Sequence, residues 1–188
     1  MKYLLKTWNS LVEISESILI GLLFFLALNL TLQNYVVRGD SMVPNYVSEQ
    51  RVLVLKFAYI KNILTKDIVN NNSYYLQPFD PRRGDIVVFK YPANVNRKFV
   101  KRIIGLPGDI VLIKNGFIFV NNIRIREPYL ESDKYRGYDN FGPITVDSDH
   151  IFVLGDNRRV SNDSRNWGLV SYDLVIGKPF ITYWPLVD

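Results

Sequence analysis

Asp109-Ile-Val-Leu-Ile-Lys-Asn-Gly-Phe-Ile-Phe-Val120 sets two apolar, β-branched runs on either side of Asn115-Gly116. That dipeptide suits the type I′ turn of a two-residue hairpin, where both central positions need positive φ. The stretch therefore predicts an antiparallel hairpin, and Asn121-Asn122 turns the chain again into Ile123-Arg-Ile125, which predicts a third strand. Outward from it, residues 50–56, 83–90 and 99–104 on one side and 151–154, 174–177 and 181–184 on the other read as strands rich in Val, Ile and Phe. Residues 61–81, with Asn70-Asn-Asn-Ser73 and Pro78-Phe-Asp-Pro81, read as loop, and charged residues 127–149 as a loop or short excursion. Short strands, turn signals and no long soluble helical period predict a mainly β fold: an antiparallel sheet or partly closed barrel, with 107–150 as a small hairpin excursion. The helices of a βαβ nucleotide-binding fold have no counterpart.

The N-terminus is of a different kind. From Ser17 to Val37 the chain carries no charge, and Leu19 to Leu28 has no polar face. Roughly 20 apolar residues suffice to cross a bilayer as one helix. A cleaved leader needs a small-x-small site after its apolar core, and Ala27-Leu28-Asn29 does not supply one. A buried soluble helix would show a polar side. The expected division is an N-terminal segment and single transmembrane anchor over 1–33 and one β domain over 34–188. Lys2 and Lys6 precede the span, which favours a cytoplasmic N-terminus with the domain on the far side.

Composition narrows the chemistry. The chain has 188 residues, 48% of them hydrophobic and 14% aromatic, enough for one anchor and one cored domain. No cysteine is present, which removes thiol catalysis, disulfides and thiolate metal sites, and a single histidine leaves an improbable ligand set for zinc. No metal and no cofactor are expected. The net charge of +5 is scattered among acids rather than gathered on one face, so the excess suits anionic headgroups better than nucleic acid. Trp167 and Trp184 read as core aromatics.

Val36-Val-Arg-Gly-Asp-Ser-Met-Val-Pro44 places a serine in a small-residue turn directly after the apolar span. Such a serine is a nucleophile only beside a proton acceptor. His150 lies in the polar run Asp147-Ser-Asp-His150, whereas Lys101 is flanked by Phe99, Val100, Ile103 and Ile104. Apolar surroundings lower the pKa of a lysine, and only a neutral amine can act as a base. Alternation in a strand sets Phe99, Lys101 and Ile103 on one face and Val100 and Arg102 on the other.

Four stretches in this order, Gly39-Asp-Ser-Met-Val-Pro44, Arg83-Gly-Asp-Ile-Val-Val-Phe89, Lys101-Arg-Ile-Ile-Gly-Leu-Pro-Gly-Asp109 and Gly155-Asp-Asn-Arg-Arg-Val-Ser-Asn-Asp-Ser-Arg165, behind an N-terminal anchor, resemble the type I signal peptidases. These are membrane-anchored serine/lysine proteases. The resemblance implies that Ser41 attacks the scissile carbonyl, that neutral Lys101 takes its proton, and that Ser161 orients the lysine amine. It implies that Asp163 with Arg165, and Arg102 and Asp156, brace the site as structural ion pairs. Some relatives carry a hydroxyl where this chain has Gly39, so the backbone N–H of Ser41 needs a second oxyanion donor from the main chain. Arg159-Val160 replaces an Asp-Asn common in the family.

A preprotein substrate is expected as an extended strand beside Tyr35-Val-Val37 and Lys98-Phe-Val100. Val37 and Val100, with Tyr35 and Phe99 beside them, would shape shallow pockets for small residues at the first and third positions before the cut. The resemblance further implies a single-pass protein of the bacterial cell membrane with its catalytic domain outside the cytoplasm, contacts with the lipid bilayer and the translocation machinery, and no nucleic-acid partner. Two other readings are a soluble Ser-Lys repressor-type protease, which would carry a DNA-binding domain in place of the apolar span, and an anchored peptide-binding β domain, which would not need both Ser41 and Lys101.

Overall fold

A computed structural model describes residues 2–56, 81–130 and 133–185. The loop expected over 61–81 therefore lies, apart from Pro81, outside the described residues. Helix α1 (Lys2–Thr31) contains a stretch, Glu13–Thr31, long and apolar enough to cross a membrane, and none of it is buried against the rest of the chain. The helix does not run on to Val37. The backbone becomes strand β1 (Leu32–Val36) at once, because that strand finds a partner in β2 (Arg51–Leu55) with Leu32 opposite Leu55 and Val36 opposite Arg51. Two contacts tie the joint: the Lys56 amide and side chain donate to Thr31 O (2.8 Å) and Asn29 O (2.7 Å).

The remaining strands are β3 (Ile86–Tyr91), β4 (Asn94–Gly105), β5 (Ile110–Lys114), β6 (Phe117–Val120), β7 (Ile123–Arg124), β8 (Phe141–Thr145), β9 (His150–Leu154), β10 (Val170–Ser171) and β11 (Val175–Trp184). Every pairing is antiparallel. A seven-stranded sheet has the order β1-β2-β11-β3-β4-β9-β10, and a four-stranded sheet the order β7-β6-β5-β8. The hairpin opens as expected, with Asn115 at φ 51° and Gly116 at φ 76°, and Asn121 and Asn122 repeat the same left-handed pair at 52° and 67°.

Three expectations are corrected. Residues 127–149 are not only loop: Phe141–Thr145 is a strand on the free side of β5, with Ile110 opposite Thr145 and Ile113 opposite Phe141. Its Gly142-Pro143 reads as a break, but Pro is tolerated there because β8 is an edge strand. The two closing strands are one, β11, whose first half pairs with β3 and second half with β2, with register shifts between Val175 and Gly177, Pro179 and Ile181, and Thr182 and Trp184. Trp184, at its end, is 63% exposed rather than core.

Burial follows the alternation. Strand β9 is apolar on both faces: Ile151 and Val153 pack with Val87, Phe89 and Ile103, while Phe152 and Leu154 pack with Ile104 of β4 and with Val111, Ile118 and Val120 of the small sheet. The second cluster docks the excursion onto the main sheet. A third, Val37, Val52, Val54, Val88 and Ile176, with Tyr35 and Val100 against it, spans the sheet from β1 to β4. Phe99 and Ile103 thus share one cluster and Val100 joins another, as strand alternation requires.

Candidate active site

Ser41 sits in a turn just beyond β1, pinned by its neighbours. Met42 is wholly buried, Val37 N donates to Gln50 O (2.8 Å), and Gly39, at φ 84°, donates its N–H to Ser48 Oγ (3.2 Å). Lys101 lies on β4, opposite Val87 of β3, and is 4% exposed. Its Nζ reaches Ser41 Oγ at 2.6 Å across sixty residues of sequence and stands 5.4 Å from the centre of the Phe99 ring. Burial lowers its pKa to about 8, against an opposing pull from Asp163 and Asp156, while Arg165 lowers it further. At neutral pH an appreciable fraction of the amine is therefore unprotonated.

The far side of the pair is the turn after β9. Asn157 N donates to Ser41 O (3.0 Å), Gly155 N donates to Asp163 Oδ2 (3.1 Å), and Asp163 caps the short helix α2 (Ser164–Trp167). Arg165 holds both oxygens of Asp163, at 2.8 and 2.9 Å, and also meets Asp139. Arg102 grips Asp156 through Nε and Nη2, at 2.8 and 2.7 Å, with its guanidinium 3.9 Å from the Tyr129 ring centre. Ser161 Oγ is buried next to this turn and has no hydrogen-bond partner among the described residues, so the bond expected to the Lys101 amine is not formed in this arrangement. A Cβ on Gly155 would come within 2.5 Å of Ser41 O and closer still to Ser161 Oγ. His150 stands apart at the start of β9, its Nδ1 4.0 Å from Asp147.

A cleft leads to Ser41 and Lys101, lined by Tyr35 to Ser41 on one side and Asn96 to Lys101 on the other. Tyr35, Val37, Phe99 and Val100 all belong to it. Among the described residues, β1 has a strand partner on one side, β2, and β4 pairs with β9 only from Arg102 onward. Lys98 Nζ lies 5.9 Å from the Tyr35 ring, which brings the two walls together. An extended peptide between them would gain main-chain hydrogen bonds on both sides. Asn157, Val160 and Asn162 line the same cleft from the turn after β9, a contribution not anticipated from sequence.

Also unforeseen is a buried charge cluster behind that turn. Glu127, in the excursion, accepts from Tyr129 Oη (2.9 Å), Arg136 (2.9 Å) and Arg158, and Arg158 Nε donates to Gly155 O (2.8 Å). Asn45 Nδ2 donates to both Tyr129 O and Asp156 Oδ2 at 2.9 Å. Arg158 lay within a quoted motif, but nothing in the sequence marked Glu127 as its partner. Among the described residues no group of His, Asp and Glu is arranged to hold a metal ion.

Residues 11–184 match the family model of signal peptidase, peptidase S26. Signal peptidase I S of Bacillus subtilis (strain 168) is 38% identical over 187 residues, covering 94% of this chain and 91% of that protein. Signal peptidase I P of Bacillus subtilis subsp. natto is 35% identical, covering 95% and 91%, and signal peptidase I of Bacillus caldolyticus 40% identical, covering 81% and 79%. A crystal structure of a signal peptidase I from Enterococcus faecalis superposes with a TM-score of 0.49 at 32% identity, over 54% of this chain and 98% of that one. The chain belongs to the type I signal peptidases, peptidase family S26, and is a serine endopeptidase.

Proposed function

We propose that this protein is a membrane-anchored endopeptidase that removes N-terminal signal peptides from exported preproteins, cutting after small residues in an Ala-x-Ala pattern. Ser41 is the nucleophile and Lys101 the general base. The observation that carries the reading is the 2.6 Å contact between Lys101 Nζ and Ser41 Oγ at the end of a cleft walled by residues 35–41 and 96–101. Neutral Lys101 takes the Ser41 proton as the hydroxyl attacks the scissile carbonyl, and returns it to the leaving amine. Water then resolves the acyl-enzyme with the same amine as base. The Ser41 N–H is one donor to the oxyanion, and the second is a main-chain group, since Gly39 offers no hydroxyl.

Substrate lies as an added strand between 35–37 and 98–100, with Val37 and Val100 limiting the side chains that fit before the cut. Ser161 turns toward the lysine amine in the substrate complex, and the Asp163–Arg165 and Arg102–Asp156 pairs hold the frame. The apolar helix anchors the chain by a single pass in the bacterial cell membrane with the cleft on the extracytoplasmic face, within reach of the translocation machinery. An Ala-x-Ala peptide incubated with the purified chain and analysed by mass spectrometry tests this: cleavage after the second Ala is expected, with none by Ser41→Ala or Lys101→Ala. Lys101→Arg is expected to be inactive, because guanidinium keeps its proton. Substantial cleavage by that variant would overturn the lysine base.

A further inference from the structure

Glu127 belongs to the excursion and is not among the residues lining the cleft, yet its side chain is only 1% exposed. Three donors converge on its carboxylate: the Tyr129 hydroxyl, Arg136 and Arg158. Arg158, 2% exposed at its side chain, carries the contact onward by donating Nε to Gly155 O. The same turn is held at Gly155 N by Asp163 and at Arg158 O by Arg165 (2.7 Å), and from it Asn157 N donates to Ser41 O. A second strut runs in parallel from Tyr129 O through Asn45 to Asp156.

A buried carboxylate is costly unless its partners are well placed, and docking the excursion does not need one. Ile104, Phe152 and Leu154 already pack it against the main sheet. The charge stands instead where a rigid chain of bonds ends on the carbonyl of Ser41. We infer that Glu127 is a positioning residue of the reaction, on the reading of Ser41 as nucleophile: through Arg158 it fixes the 155–158 turn and thereby holds Ser41 Oγ in register with Lys101. The excursion, on this view, is part of the catalytic apparatus without touching substrate.

The test uses the full chain in detergent with an Ala-x-Ala peptide. Glu127→Gln keeps the shape and removes the charge that Arg158 needs. Its kcat should fall between about tenfold and a hundredfold, the scale of a small misplacement of a reacting group. KM should stay within about twofold, because the 35–37 and 98–100 backbone on which substrate is proposed to pair lies away from this turn, and the acid limb of the pH profile should keep its midpoint. In an Arg158→Met background the same change should cost nothing further, because the two act in series. A folded Glu127→Gln with wild-type kcat, a loss confined to KM, or full additivity in the double variant would each overturn the inference.

If Glu127→Gln does not fold, Tyr129→Phe removes one donor to the carboxylate and leaves the ion pairs. Its kcat should drop about threefold at unchanged KM, and an unaltered kcat overturns the proposal. Ser41→Ala separates the two levels: residual cleavage there would remove the nucleophile itself, whatever Glu127 does.

Discussion

Arg102 and Asp156 face each other fork to fork, two N–H···O bonds of 2.8 and 2.7 Å joining β4 to the turn after β9, with the Asp156 side chain wholly buried. Arg102 Nη1 donates its remaining bond to Gly84 O. Breaking such a pair from one side strands a buried carboxylate, which costs about 3–5 kcal/mol. Arg102→Met is expected to lower the free energy of unfolding, extrapolated from denaturant titration, by that amount. Arg102→Lys should rescue only part, since an ammonium cannot reproduce the fork.

With Lys101 as the proposed base, cleavage is expected to depend on pH with a definite sign. Its pKa near 8 means that kcat/KM rises with pH through that value and levels off above it. A rate profile measured with a peptide lacking titratable groups near the cut checks this, and a flat profile down to pH 5 would exclude the lysine as base.

The same shift acts on stability. Lysine ionises near 10.5 in the unfolded chain and near 8 in the folded one, so between these values the unfolded state holds the extra proton and stability rises with pH. Below about 8 the penalty is present in full, on the order of 3 kcal/mol. Lys101→Met is therefore expected to be more stable than wild type at pH 7, with the difference shrinking as pH rises from 8 to 10.5. Thermal unfolding of both proteins across that window measures it.

Gly155 has no room for a side chain. In Gly155→Ala the new Cβ would press on the Ser41 carbonyl, a backbone atom that cannot rotate away, so kcat should drop by at least about a hundredfold. Truncating Ser161 in the same protein should not restore activity, because the contact with Ser41 O remains.

Ser161 separates function from folding. Its hydroxyl is buried without a partner among the described residues, so Ser161→Ala removes an unsatisfied group and should leave Tm unchanged or slightly higher. A kcat about tenfold lower in that equally stable variant would mark a role for the hydroxyl in orienting the lysine amine. Unchanged kcat would deny it one.

The strands were legible where local signals agreed. Asn115-Gly116 and Asn121-Asn122 announce their turns through residue types that accept positive φ, and Ile151 to Leu154 reads as a strand because both its faces are buried. The Ser41–Lys101 pairing was legible through motifs, although the contact itself spans sixty residues. Strand β8 was not, because Gly142-Pro143 looks like a break and only the free edge of β5 makes it a strand. The helix ends at Thr31, two residues before the boundary at 33 drawn from the sequence, and the apolar run continues past it as a strand because β1 pairs with β2. Glu127 was invisible for a related reason, since a lone acid in a polar stretch gains meaning only from the three donors folded around it.

Helix α1 passes into β1 with no loop between them, and β1 is itself a wall of the cleft. In the anchored enzyme proposed above, the nucleophile is then tethered ten residues from the last helical turn, a leash of at most about 35 Å even if fully stretched. Its height above the lipid becomes a fixed dimension of the molecule, and a preprotein is cut only where its scissile bond is presented at that altitude. The anchor would serve as a ruler as well as a mooring.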